Sequence, residues 1–131
     1  MKTAALDIGD VWTGIALSDA LGITVKPYHT TQTPDLMNYL TTLFSKETIS
    51  TVIVGLPRTM KGTDSQQTEK VRAHFEILKS AFPTIEWKLW DERLSSKRAA
   101  HIKPSTSKED KIKSHAIAAA FILESYLSFI A

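Results

Sequence analysis

Hydrophobic and polar positions change rhythm several times along this chain, and each change marks an element. Residues 2–8 are mostly apolar and end on Leu6-Asp7-Ile8 before Gly9. After a short turn, residues 13–18 form a second apolar run that contains Gly14. So short a connection pairs the two runs as antiparallel strands. Residues 24–29 supply a third strand after a turn at Leu21-Gly22. The spacing then becomes helical: Leu36, Tyr39, Leu40, Leu43 and Phe44 share one face, with Thr33 as cap and Pro34 in the first turn, and this helix runs to about Lys46.

Residues 51–56 are continuously apolar, as expected of a central parallel strand buried on both faces. A loop over 56–65 follows, with Gly62 as a flexible point able to close over a substrate or simply to connect. A helix over 68–81 places Val71, Phe75, Leu78 and Phe82 inward. A fifth strand over 85–90 runs into the cluster Asp91-Glu92-Arg93. Trp87 and Trp90, three apart, point to opposite faces of that strand. Ser95 caps a short helix to about His101, and the polar stretch 103–110 reads as the most mobile part of the chain. From a capping box at Ser107 and Asp110, the last helix runs to about Phe129, with small residues over 116–120 for close packing.

The order β-β-β-α-β-α-β-α-α predicts an α/β fold: a mixed five-stranded sheet with three antiparallel N-terminal strands and helices on both faces. Strand one lies beside strand four, and strand five lies beyond four. A length of 131 residues suits one domain spanning 1–131. With 43% hydrophobic and 23% charged residues, the composition is that of an ordinary globular protein. The chain has no cysteine, which excludes disulfides and thiolate metal sites and fits a reducing, cytoplasmic setting. No signal-peptide pattern opens it. The last apolar stretch, interrupted by Glu124, is too short for a bilayer, so no membrane partner is expected.

Charge is unevenly spread. Residues 58–113 carry 13 Lys and Arg against 8 Asp and Glu, while the remainder carries 3 against 6. A basic middle suits a polyanion, and chance asymmetry of a solvated surface is the plain alternative.

Asp7 is a carboxylate set among apolar neighbours, costly unless its charge is compensated. It either binds a cation or caps the turn. Glu92, just past strand five, either joins Asp7 or pairs on the surface with Arg93 or Lys88. His115, early in the last helix, is a third ligand or an ordinary helix histidine. Together the three make a site for Mg²⁺ or Mn²⁺, and two such ions about 4 Å apart cleave phosphodiesters with no side-chain nucleophile. Arg58, Lys61, Arg93, Lys97 and Arg98 are candidate phosphate contacts, each with a solvated cation as its plain alternative. Asp10 and Asp19 read as turn residues.

Four blocks in order resemble the YqgF family of RNase H-like proteins: Leu6-Asp7-Ile8-Gly9 through Gly14 to Asp19; Val54-Gly55-Leu56-Pro57 with Met60 and Gly62; Asp91-Glu92-Arg93-Leu94-Ser95; and Ala118 through Ile122 to Leu127. The family is proposed to process the 5′ end of pre-16S rRNA and is also described as Holliday junction resolvases. The resemblance implies a hydrolase acting on ester bonds by a two-metal-ion mechanism, with Asp7 and Glu92 as catalytic metal ligands. Its substrate would be structured RNA or branched DNA, and it would work as a monomer or a homodimer. It also implies an acid where this chain has His115. Imidazole suits Mn²⁺ better than Mg²⁺ and binds only when neutral. A second departure is Val11-Trp12, where the family usually has a Lys-Arg pair. That loses two phosphate contacts and offers a ring for a base to stack on. These departures leave room for a binding module that has lost catalysis. An actin- or sugar-kinase-like ATPase would need two such domains.

Overall fold

The computed structural model describes residues 1–57, 64–92 and 108–131, and of 108–111 the backbone alone. Its strands are β1 (Lys2–Ile8), β2 (Trp12–Ser18), β3 (Val25–Gln32), β4 (Ile49–Leu56) and β5 (Glu86–Asp91). Its helices are α1 (Leu36–Lys46), α2 (Gln66–Ala81) and α3 (Lys108–Ile130). The sheet order is β3-β2-β1-β4-β5. β1 pairs antiparallel with β2 and parallel with β4, and β5 runs parallel beyond β4. The expected α/β fold, with its mixed sheet and three antiparallel strands, is the one observed.

Alternation along the strands sends side chains to two unlike faces. Leu6, Ile8, Ile15, Leu17, Val52, Val54 and Leu56 face α1 and α2 and form the larger core with Leu40, Val71 and Trp87. Ala5, Ala16 and Ile53 face α3 and pack on Ala119, Ile122, Leu123 and Tyr126. Trp87 lies in the first core and Trp90 against the second, as their spacing requires.

Local chemistry sets the element ends. Ser65 caps α2 by accepting the Thr68 N–H, and Thr68 Oγ1 accepts the Ser65 N–H in return. Thr68 also donates to the Pro57 carbonyl, tying α2 to the end of β4. Asp19 closes the β2–β3 turn by accepting the Ile23 N–H at 2.7 Å and the Thr24 N–H at 3.3 Å, and these bonds hold its pKa down. Asp10 is also a turn residue, 3.4 Å from Lys70.

Thr33 departs from its expected role as a helix cap. It opens a 3-10 turn, Thr33–Asp35, and makes no side-chain cap hydrogen bond. Its hydroxyl donates to the Gly9 carbonyl at 2.6 Å and lies 2.9 Å from Thr13 Oγ1. The half-buried Gly9 carbonyl of the β1–β2 turn takes the hydroxyl that a helix cap would have used. β3 also runs on to Gln32, past the expected 29, because its residues keep pairing with β2 as far as Trp12. The loop centre at 58–63, the short helix expected over 95–101 and the stretch 103–107 lie outside the described residues.

Candidate active site

The α3-facing side of the sheet is built from small residues around Asp7. In β1 that face reads Ala5, Asp7, Gly9; in β2 it reads Trp12, Gly14, Ala16; in β4 it reads Ile53, Gly55. Gly14 stands opposite Asp7 in the ladder. A Cβ on Gly14 would lie 1.9 Å from the His115 carbonyl oxygen, so only glycine lets α3 rest directly on β2 here. That close approach delivers His115 to Asp7. Its Nδ1 lies 3.9 Å from Asp7 Oδ2, with Asp7 23% and His115 32% exposed.

Gly55 does the same for the second carboxylate. A Cβ there would lie 2.6 Å from Glu92 Oε1 and 2.6 Å from Ile122 Cδ1. Glu92 therefore reaches back over β4 toward Asp7 across a gap where β4 carries no side chain. Among the described residues Lys88 does not hold it: Lys88 Nζ lies 3.1 Å from the Tyr126 hydroxyl and 3.2 Å from Glu86.

Burial, the Asp7 charge, a hydrogen bond with Asp7 and the Asp91 charge together push Glu92 up to about 8. Two carboxyl groups in contact cannot both ionise without a compensating charge. Burial and the neighbouring carboxylate thus favour the protonated form of Glu92. A cation between them would relieve the same repulsion by displacing that proton.

Asp, Glu and His are hard and borderline donors suited to Mg²⁺ or Mn²⁺. An ion about 2.1 Å from each ligand fits between atoms as far apart as Asp7 Oδ2 and His115 Nδ1. Asp7 is shared by both close pairs, yet among the described residues no group of three His, Asp or Glu side chains is arranged to hold an ion as it stands. The proposed phosphate contacts Arg58, Lys61, Arg93, Lys97 and Arg98 all lie outside the described residues. Gly14 and Gly55 stand in the sequence blocks that carry the resemblance, but their role as points of close approach was not legible there. The signal for Gly55 was its place inside an otherwise β-branched strand, which marks a close approach.

The mixed five-stranded sheet in the order β3-β2-β1-β4-β5, with helices on both faces, is an α/β fold of the RNase H-like kind. A family model described as "RuvX: Holliday junction resolvase" matches residues 1–129. The chain belongs to that family, the one also called YqgF.

Relatives cover it almost completely. A protein of Rubrobacter xylanophilus is 34% identical over 127 residues, spanning 96% of this chain and 91% of its own. One of Desulforamulus reducens is 36% identical over 134 residues, spanning 97% and 96%. One of Clostridium botulinum is 37% identical over 135 residues, with the same coverage. All three are named "Putative pre-16S rRNA nuclease". Among solved structures, Archaeoglobus fulgidus Pelota matches at a TM-score of 0.47 and 11% identity, over 98% of this chain. The ethanolamine utilization protein EutJ of Carboxydothermus hydrogenoformans matches at 0.44 and 16%, over 78%. This chain spans only 35% and 41% of those two. No described helix is long and apolar enough to cross a membrane.

Proposed function

We propose that this protein is a divalent-cation-dependent nuclease that hydrolyses phosphodiester bonds in structured RNA, with the 5′ end of pre-16S rRNA as its substrate and the cytoplasm as its place of work. The observation that carries this reading is the contact between Asp7 and Glu92 on the α3 face. The names of the relatives support the choice of RNA.

In this reading Asp7 is the central ligand, Glu92 gives up its proton to join it, and His115 binds through its neutral imidazole. Mg²⁺ or Mn²⁺, as one ion or two, supplies charge neutralisation at the phosphate and activation of the attacking water. Asp7 is 23% exposed, so a phosphate can reach it from solvent. The Gly14 contact holds His115 at the edge of that space, and α3 screens its inner side from water. Glu92 is the group whose proton must leave before a cation enters, so cation binding strengthens as pH rises.

The family description favours a second reading, cleavage of branched DNA. Both are tested together, by offering a precursor RNA and a four-way DNA junction with Mn²⁺ or Mg²⁺ to the wild type and to Asp7→Asn. The expected result is cleavage of the RNA by the wild type and a loss of about a hundredfold or more in the variant, the scale of losing one electrostatic group at a reacting centre. Equal cleavage by both proteins removes Asp7 from the reaction. Cutting of the junction alone transfers the assignment to branched DNA. Metal-free RNA binding with no cleavage by either protein identifies a binding module.

A further inference from the structure

Trp12 stands apart from the other two tryptophans. Trp87 is buried in the core beneath α1 and α2, and Trp90 packs against the core beneath α3. Trp12, only half-buried, belongs to neither cluster among the described residues. It opens β2 two positions before Gly14, so it shares the sheet face of Gly14 and Asp7. Thr13, between them, is fully buried on the other side. Two residues of strand put the Trp12 Cα about 7 Å from that of Gly14.

Gly9 joins Trp12 to the carboxylates. Its N–H donates to the Trp12 carbonyl at 2.9 Å. A Cβ on Gly9 would lie 3.8 Å from His115 Cε1. Gly9 thus lies between the Trp12 backbone and the His115 imidazole, on the face where Asp7 and Glu92 meet. Val11 beside it is 61% exposed, so the turn is open to solvent. The acid of this turn, Asp10, faces Lys70 rather than standing alone. An exposed turn bearing an indole at the edge of a phosphodiester site has the makings of a stacking platform. Base–aromatic stacking needs a π face and no particular base, and it is closed to bases already stacked inside a duplex.

We propose that Trp12 forms a nucleobase subsite that stacks an unpaired base of RNA next to the phosphodiester held at Asp7 and Glu92, so that the enzyme selects single-stranded RNA at the cut. This rests on the nuclease reading above and adds the kind of strand that the site accepts. Trp12 positions the nucleotide and takes no part in bond breaking.

The test measures binding of a labelled single-stranded RNA and of the matching RNA duplex to the wild type, Trp12→Leu and Trp12→Phe, by fluorescence anisotropy. Leucine keeps apolar bulk without a π face, and phenylalanine keeps the face. The expected result is a loss of affinity on the order of tenfold for the single strand with Trp12→Leu, near-complete rescue with Trp12→Phe, and duplex binding unmoved by either. Equal affinity of Trp12→Leu and wild type overturns the subsite, as does Trp12→Phe falling as far as Trp12→Leu. So does a wild type that prefers the duplex. The two readings fail separately. Undiminished cleavage by Asp7→Asn removes the catalytic assignment whatever Trp12 does. An inert Asp7→Asn beside an unaffected Trp12→Leu removes only the stacking.

Discussion

The two faces of the sheet are made by the same strands and do opposite work. Toward α1 and α2 the strands present Leu6, Ile8, Ile15, Leu17, Val52, Val54 and Leu56, large aliphatic groups that fill space. Toward α3 they present mostly small residues, Ala5, Gly9, Gly14, Ala16 and Gly55, with Asp7, Ile53 and Trp12 among them. Apolar burial stabilises at roughly 25 cal/mol per Å², so the larger core contributes the greater share of that term. The second gives up that burial to bring one helix close and to set two carboxyl groups in contact. Stability and chemistry are separated by the alternation of a β-strand, one residue at a time. A site built this way tolerates costly groups because the other side of each strand compensates.

Changes on either face test that division. Leu40→Ala, in the core beneath α1 and far from Asp7, should destabilise by about 2–5 kcal/mol in urea titrations. Cleavage per folded molecule should stay at the wild-type level. Gly14→Ala should cost about 3 kcal/mol, because the new methyl group meets the backbone of α3 rather than a side chain that can turn away. Here the cleavage rate should fall as well, since lifting α3 carries His115 from Asp7. If Gly14→Ala lost stability but not activity, both the separation of the faces and the role of His115 would be refuted.

The carboxyl pair gives an effect with a defined sign. Glu92 titrates at about 8 in the folded protein and regains its ordinary 4.5 on unfolding. Between those values the folded state holds a proton that the unfolded state has lost. In buffer with chelator, stability should therefore be greatest at the acid end of this window and fall as pH rises from 4.5 to about 8. Glu92→Gln should flatten that slope in melts recorded across the range. A slope unchanged in the variant would show that Glu92 is not the group responsible. The smallest effect is expected outside both faces. Lys70→Ala removes an exposed pair with Asp10 and should change stability by less than about 0.5 kcal/mol.

Much of this molecule is legible in its residue pattern. The alternation in β1 and β2, the continuous run in β4 and the helical spacing of α1 and α2 prescribe the sheet, its order and both layers. The aspartate at the end of β1 and the glutamate after β5 stood out because charge at the end of an apolar strand is costly. Thr33 misled because Thr-Pro before a helical pattern is a cap by local rules, and no local rule shows the Gly9 carbonyl waiting across the sheet. Gly14 and Gly55 looked like strand punctuation. Their roles depend on a helix nearly a hundred residues later and on a carboxylate beyond the next strand.

What the chain determined alone was every feature set by neighbours a few residues apart: strand faces, helix faces, turns and the types of chemical group available. Tertiary structure alone decided which groups meet. Asp7, Glu92 and His115 are far apart in sequence, and only the register of β1 with β2 and β4, and the height of α3 above Gly14, bring them together. The same packing decided the protonation of Glu92, because burial and a second carboxylate are properties of a place and not of a residue.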